Sequence, residues 1–587
     1  MRDTFKNVME KNWFCYTIIL FFSALMCIPL LSRTIDLFQD DGIQHICRLI
    51  GTAQSLGEQS LFPVIMSDFC NGFGYSWNLF YSILTAYVPL LFRFLGASYL
   101  DCIKLFLYLL TALSGFSMFA FTKRVTKSKK IALLASVFYI LLPYRVTDMY
   151  MRIAIAELAS FVFLPMVFHG IYAILEDCQG SQEKPMNLVL VAGTVGLMLS
   201  HTVITLYTAI FAFLYLVIQY KKLNKKAICQ LGISLLLILL LCAFFLIPLL
   251  EHRLVTEYEV FQKGRMSRVE VLEYYKLNLS ELFFTQEGFI FEIGGILLLG
   301  SIFAILAIAK KKIQSDEKRQ TIFFLVMGIL CSILTLRIVP FEKLPEILCM
   351  IQFTYRFLEF VGFFLSFAAA VGVVRLFKRY DLGDLLVITT LAFLLIVPLN
   401  RFISYDNRGW TEDKLIPAVP VNENTQRVHA GCASFEYLPT KAFQNLEYIK
   451  EREPGAILLS GEAEITGEAK ERNITGISFI ANTKELSVEL PYIYYLGYTI
   501  RIRSAETEEW QEVQGYESEK GFLAVDLADL EEGTEYEILV WYRGTMGMKI
   551  SLATSLITTI ALLFEYGIYF SKKRKKALEK IDEPPKI

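Results

Sequence analysis

The segment WNLFYSILTAYVPLLFRFL, residues 77–95, decides how this chain is read. It is apolar enough to cross a bilayer, yet Trp77, Tyr81 and Tyr87, with Tyr75 just before, suit the headgroup zone. If it crosses, every later segment changes side. A crossing needs roughly 20 apolar residues. Other runs of this kind lie at 13–32, 101–122, 131–143, 158–175, 188–200, 203–220, 227–250, 289–309, 321–338, 355–374, 384–399 and 549–570. The basic clusters arbitrate, because positive charge collects on the cytoplasmic side. If 77–95 stays out of the crossing set, Lys123–Lys130, Lys221–Lys226, Lys310–Arg319, Arg375–Arg379 and Lys572–Lys576 all fall on that side; if it crosses, all five are inverted. The segment is therefore expected to be an interfacial or re-entrant helix within a long first outer loop, 33–100.

Composition agrees with about twelve spans. Hydrophobic residues make up 55% of the 587, aromatics 14% and charged residues only 20%, far toward the membrane side of globular usage. The net charge of -1 conceals segregation, with basic residues between apolar runs and acidic ones gathered after residue 400. Bulk nucleic-acid binding is excluded on this balance. Arg2, Lys6 and Lys11 precede an apolar stretch, Trp13–Leu31, that is too long for a signal peptide and lacks a small-x-small cleavage site. It reads as a retained first span with a cytoplasmic N-terminus. The 11 cysteines contain no CxxC pair, and Cys15, Cys27, Cys229, Cys242 and Cys331 sit in apolar runs, so neither a zinc site nor a disulfide framework is indicated. Cys47, Cys70 and Cys432 fall in outer segments, where a bridge stays open.

Three parts follow: a transmembrane domain over 1–399, an extracytoplasmic β-rich domain over 400–546, and a final span with a basic cytoplasmic tail over 547–587. The β reading rests on the alternating or β-branched stretches 474–480, 485–490, 498–502, 523–525 and 536–542, separated by Gly, Asn and Glu-Gly turns. A small sandwich is expected.

The polar groups of the outer segments are the candidates for chemistry. Asp40 and Asp41 follow the first span, and acidic groups at a bilayer boundary are costly unless they face water or a partner. If they open a helix, Asp41, His45 and Arg48 share one face at i, i+4 and i+7. A carboxylate there can take a proton from a hydroxyl, and the basic groups can hold a phosphate; the bland alternative is a solvated amphipathic turn. The run PYRVTDMYMR, 143–152, places Arg145, Asp148 and Arg152 on one helical face, with Glu157 shortly after. Two guanidiniums can grip phosphate oxygens, or Asp148 can bridge both as a structural lock. Glu157 opens an apolar run, where a carboxylate complements a helix N-terminus. His201 is either a cavity group or a cap. Glu251-His252-Arg253 reads as loop. Arg356 is a further phosphate candidate, or a partner of Glu359 at i, i+3. No Gly-rich phosphate loop, HExxH or GxSxG is present, and the cytoplasmic loops are too short for a nucleotide-binding domain. Any activated substrate should arrive through the membrane.

In this layout the chain resembles the GT-C class of membrane glycosyltransferases, and more closely the bacterial YfhO-like and 6-pyruvoyl-tetrahydropterin synthase-related membrane proteins. The stretches carrying the likeness are Gln39-Asp40-Asp41-Gly42 with His45, Tyr144–Glu157, Ile351–Leu358, Glu436-Tyr437-Leu438-Pro439, and Pro491–Met548. The resemblance implies transfer of a sugar from a polyprenyl-phosphate donor to an envelope glycopolymer similar to lipoteichoic acid, on the outer face of the plasma membrane. It carries over an acidic catalytic motif to Asp40 and Asp41 without choosing between them. Arg145, Arg152 and Arg356 would then stabilise the leaving phosphate in a single inverting displacement, and Mg²⁺ or Mn²⁺ on the paired carboxylates stays open. Competing readings are a lipid or polysaccharide transporter or flippase, which would more often show paired repeats with broken helices at the membrane midplane, and a non-catalytic envelope-assembly protein. All depend on whether the first-loop carboxylates meet the later arginines in space.

Overall fold

The structure is a computed structural model and describes residues 11–31, 41–58, 62–81, 83–180, 187–262, 269–284, 290–377, 381, 384, 435–471, 473–507 and 509–582. Asp40, the 384–399 run apart from Asp384, and the 400–434 stretch lie outside these.

By length and composition, four described helices can cross a membrane: Tyr99–Thr126, Ile155–Asp177, Thr354–Leu376 and Met546–Ile568. Two bent pairs raise this to six if each is one span: Lys129–Ile140 with Pro143–Met151, bent by 44°, and Lys225–Leu241 with Ala243–Val255, bent by 67°. The twelve-crossing expectation treated every apolar run as an unbroken rod. Several described runs are shorter helices, such as Leu188–Met198 and Gly295–Ala309. The 77–95 segment is also broken, into Trp77–Phe80 and Leu84–Phe94. At 1.5 Å per residue the second piece is only about 16 Å long, against a hydrocarbon core of about 30 Å. Buried Arg48 clamps it: Nε and Nη2 donate to Asn78 Oδ1 (3.0 and 2.9 Å), Nη1 to Thr85 Oγ1 (3.2 Å) and Nη2 to the Tyr81 carbonyl (3.3 Å).

Thr354–Leu376 is the axis of the bundle, packed by Gly295–Ala309, Ser315–Leu334 and Lys129–Ile140. Small residues let these helices approach closely, as membrane helix pairs require. A Cβ added at Gly372 would stand 2.3 Å from Ala304 N and 2.5 Å from Gly300 O. Phe121, Phe168, Phe324, Phe363, Phe364 and Phe367 fill the centre with edge-to-face and tilted ring contacts.

Four of the basic clusters meet at one end of this bundle. Arg124 pairs with Asp177 (2.5 Å), Lys222 with Glu176 (2.5 Å) and Asp316 (2.9 Å), and Arg375 with Glu317 (2.8 Å), while Lys312 Nζ donates to the Leu376 carbonyl (3.1 Å). The segments around Arg152 and Arg356 lie at the opposite helix ends, before Ile155–Asp177 and at the start of Thr354–Leu376.

Among the described residues nine antiparallel strands make a two-sheet unit: β1 (Ile457–Ser460), β2 (Ala463–Glu471), β3 (Ile474–Ala481), β4 (Leu486–Ile493), β5 (Tyr498–Ser504), β6 (Gln511–Val513), β7 (Gly515–Glu517), β8 (Phe522–Leu527) and β9 (Glu535–Tyr542). Their orders are β1-β4-β8-β7 and β2-β3-β9-β5-β6. Alternation buries Ile477, Phe479, Ile500, Ile538 and Val540 against Val488, Leu490, Leu523 and Val525. The unit docks on the first loop: Ile493 N–H donates to the Phe73 carbonyl (2.9 Å), Tyr437 N–H to the Tyr75 hydroxyl (3.2 Å), and Arg452 is stacked between Phe73 (4.9 Å) and Phe522 (4.7 Å). Cys47 and Cys70 are both buried.

Glu251-His252-Arg253 is helical, not loop, because Ala243–Val255 continues through it and buries His252. One imidazole nitrogen of His252 bonds the Leu496 carbonyl (3.1 Å), and Thr545 donates to Glu251 beside the start of the Met546–Asp582 helix, where an anion complements the helix dipole.

Substituting Gly372 by Leu is expected to force the Thr354–Leu376 and Gly295–Ala309 helices apart and cost about 1–3 kcal/mol or more. In contrast, Gly232→Ala, whose added Cβ meets nothing within 4 Å, should be neutral or slightly stabilising. Thermal unfolding of the detergent-purified protein checks both; equal effects would contradict the close approach.

Candidate functional site

The site begins at a backbone contact. Helix Gly42–Glu58 starts directly after Asp41, whose carbonyl accepts from His45 N–H (3.1 Å). The Asp41 N–H donates to the Arg152 carbonyl (3.0 Å). The first connection is thus joined to the turn between Pro143–Met151 and Ile155–Asp177.

That turn is not a simple helix. Residues Thr147–Met151 form a π turn, closed by Arg152 N–H on the Thr147 carbonyl (2.8 Å). The additional residue in the turn breaks the expected common face of Arg145, Asp148 and Arg152. Arg152 Nη1 donates to Asp148 Oδ1 (2.8 Å), Glu157 Oε2 (2.9 Å) and the Tyr144 hydroxyl (3.4 Å). Arg145 instead lies over the Phe161 ring, 4.3 Å from its centroid, completely buried and with none of its three guanidinium nitrogens hydrogen-bonded among the described residues. Asp148 therefore bridges one arginine and not two.

Glu157 is the hub. It occupies the first turn of its helix and is 1% exposed. Its Oε2 accepts from Arg152 and also from Arg356 Nε (3.2 Å), and its Oε1 accepts from the Tyr144 hydroxyl. Arg356 further donates through Nη1 to the Ile351 carbonyl (3.2 Å) and to Gln352 Oε1. The expected Arg356–Glu359 pair does not form; Glu359 accepts from Ser160 Oγ (2.6 Å), because Arg356 turns toward the neighbouring helix. Tyr355 lies 5.1 Å from the Arg152 guanidinium and Phe353 4.9 Å from that of Arg356, which supplies cation–π contact to both. Two strained residues flank the cluster: Ile153 (φ +51°) and Gln352 (φ +69°) are left-handed without being glycine. A β-branched residue in that region is an outlier, held there only because its neighbours over-determine it.

Two histidines border the cluster. His45 is buried with Nε2 unbonded, and its ring centroid is 6.0 Å from that of Tyr81. Burial, then Arg48 and Arg152, lower its pKa to about 3. His201 caps helix Thr202–Ile218 through Nδ1, which accepts from Ile204 N–H (3.3 Å). Burial and Arg356 push its pKa down to about 3 as well. Both imidazoles are neutral at physiological pH. Tyr81 was expected only as an interfacial anchor, yet its phenol is raised above its ordinary value by burial and by Asp41, with Arg48 and Arg356 opposing. It stands within electrostatic reach of both the first-loop carboxylate and Arg356. No sequence pattern marks this, since it depends on residues 77–81 folding back over the Gly42–Glu58 helix.

Among the described residues no three His, Cys, Asp or Glu side chains converge on a metal position. Two apolar grooves of about 340 and 490 Å³, lined through Ile218, Lys318 and Phe323 or through Phe213, Tyr220 and Ile228, lie at the basic end of the bundle, away from this cluster.

A bundle of apolar helices carrying a β-sandwich defines a multi-pass membrane protein with a β appendage. Residues 79–405 match the family described as "6-pyruvoyl-tetrahydropterin synthase related domain; membrane protein", and the chain belongs to that family. A protein of Lactococcus lactis subsp. cremoris (strain MG1363), described as an uncharacterized protein, is 24% identical over 98% of both chains. Among solved structures, the archaeal oligosaccharyltransferase AglB from Archaeoglobus fulgidus, in complex with an inhibitory peptide and a dolichol-phosphate, aligns over 76% of this chain at 14% identity and a TM-score of 0.35; the chain spans 60% of that structure's length.

Glu157→Gln removes the carboxylate shared by two buried guanidiniums and is expected to destabilise the protein by about 3–5 kcal/mol, read as a lowered melting temperature; an unchanged value would remove Glu157 as the hub. A second expectation concerns pH. Because the folded-state pKa of His45 lies near 3, below the ordinary 6.5, its contribution to stability is complete above about pH 6.5 and declines as pH falls from there toward 3. His45→Gln should therefore flatten the fall in melting temperature between about pH 6.5 and 4, and an identical slope in both proteins would contradict this.

Proposed function

We propose that the protein is a GT-C-type inverting glycosyltransferase. It moves a sugar from a polyprenyl-phosphate donor to a cell-envelope glycopolymer of lipoteichoic-acid type on the outer face of the plasma membrane. The reading is supported first by the Asp41 N–H to Arg152 carbonyl bond (3.0 Å), which joins the backbone of an early acidic residue to that of the buried arginine segment. With the gathered basic clusters taken as cytoplasmic, both termini are cytoplasmic and the cluster and sandwich face outward.

Asp41, with Asp40 next to it in sequence, takes the proton of the acceptor hydroxyl. The acceptor oxygen bonds to the anomeric carbon while the bond from that carbon to the phosphate oxygen breaks, and the lipid phosphate departs with the electron pair. The centre inverts once. Negative charge grows on the phosphate along this path, so fixed guanidiniums favour the transition state over the ground state. Arg356 Nη2 lies outside the bonds that hold Nε and Nη1 to Glu157, Ile351 and Gln352 and is placed to donate. Arg152 adds its charge, and Arg145 acts from deeper in the bundle. Asp40 and Asp41 would supply hard oxygen ligands to a Mg²⁺ or Mn²⁺ ion, which would add positive charge against the departing phosphate, and a chelator arm of the assay tests it.

Purified protein incubated with a panel of radiolabelled polyprenyl-phosphate sugars and envelope polymer should transfer label. Asp41→Asn or Asp40→Asn in folded protein is expected to reduce transfer by about 10²–10⁴-fold, and Arg356→Gln by about 10²–10³-fold. Full activity in both aspartate variants would remove the catalytic assignment.

A further inference from the structure

The five-stranded sheet turns one face to the sandwich core and presents the other to solvent among the described residues. On that outer face two similar units recur. Arg501 lies over the Trp541 ring (5.5 Å) and pairs with Glu512 (3.9 Å); Arg503 lies over the Trp510 ring (4.6 Å) and pairs with Glu537 (2.6 Å). Each unit sets an indole, a guanidinium fork and a carboxylate side by side. The strand register continues the face across β3 and β2: Gly476 opposes Leu539 on one side and Ala469 on the other, and Ser478 opposes Glu537 on one side and Gly467 on the other. The indole–guanidinium ridge therefore stands along a low floor, and a Cβ at Gly467 would meet nothing within 4 Å.

We propose that this face binds an uncharged hexose polymer, the sugar portion of the acceptor. A pyranose offers an apolar C–H face and a rim of hydroxyls that both donate and accept, which is what an indole beside an arginine–glutamate pair complements. Charge selects the occupant. Each arginine is already met by a carboxylate, and the neighbouring Glu464 and Glu535 make the surround acidic, so a phosphate-rich chain is repelled while neutral sugar is not. Trp541 lies five residues before the Met546–Asp582 helix, so the ridge runs outward from the end of the sandwich joined to the bundle. The proposal takes its purpose from the transferase reading, but binding needs no turnover.

The test uses full-length protein in nanodiscs, titrated by calorimetry with neutral glucose and galactose hexasaccharides, with poly(glycerol phosphate), and with phosphatidylglycerol vesicles. At least one neutral hexasaccharide should bind. Trp541→Ala and Trp510→Ala should each weaken it about tenfold, with Arg503→Gln as a milder surface variant acting in the same direction. Asp41→Asn should bind normally. Failure of every neutral oligosaccharide, preference for the polyanion or the vesicles, or unchanged affinity in the tryptophan variants overturns the surface. Binding without transfer in the wild type overturns the transferase reading and leaves this one standing.

Discussion

The buried carboxylate of Glu157 is the interaction on which the rest of the site depends. It joins three separate stretches of chain, the 143–152 segment, the Ile155–Asp177 helix and the start of the Thr354–Leu376 helix, by accepting from Tyr144, Arg152 and Arg356. In a low-dielectric interior two guanidiniums would be intolerable without it, and it would be intolerable without them. The surrounding charges nearly balance, with Arg145, Arg152 and Arg356 facing Asp148, Glu157 and Glu359. This arrangement explains how so many ionisable groups persist among apolar helices, and why Ile153 and Gln352 tolerate left-handed backbone on either side of it.

A second set of contacts couples the sandwich to the bundle. The first loop contributes Phe73 and Tyr75, the Tyr258 segment forms a β-bridge with Pro439, and His252 bonds the Leu496 carbonyl. Because Arg48 clamps the same loop from below through Asn78 and Thr85, the Asp41 helix is held between the sandwich and the arginine cluster. Asp41 is therefore positioned by tertiary packing from both sides.

Much of this was legible in the chain. The β-stretches read from alternation coincide with observed strands such as Ile474–Ala481 and Tyr498–Ser504, because a half-buried sheet imposes a period of two on its side chains. The expectation that 77–95 stays out of the crossing set came from the distribution of basic clusters, and the segment is divided into the two helices Trp77–Phe80 and Leu84–Phe94. The number of crossings was less legible, since hydropathy detects apolar runs but not the bends at Leu141–Leu142 and at Cys242. Partner choice was least legible. Helical spacing offered Asp148 as a bridge between two arginines and Glu359 as a partner of Arg356, but a π turn and a neighbouring helix redirected both.

The order of residues thus determined that this is a membrane protein with segregated charge, a β-rich region near its C-terminal end, and acidic and basic groups concentrated in particular connections. Those properties are local sums over hydropathy, period and charge. Only the tertiary structure decided that the Asp41 backbone meets that of Arg152, that Glu157 and not Asp148 is the shared anion, and that Tyr81 feels the charges of Asp41 and Arg356. Contacts between residues far apart in sequence are selected by packing geometry and by the cost of leaving a buried charge unpaired, and neither can be summed along the chain.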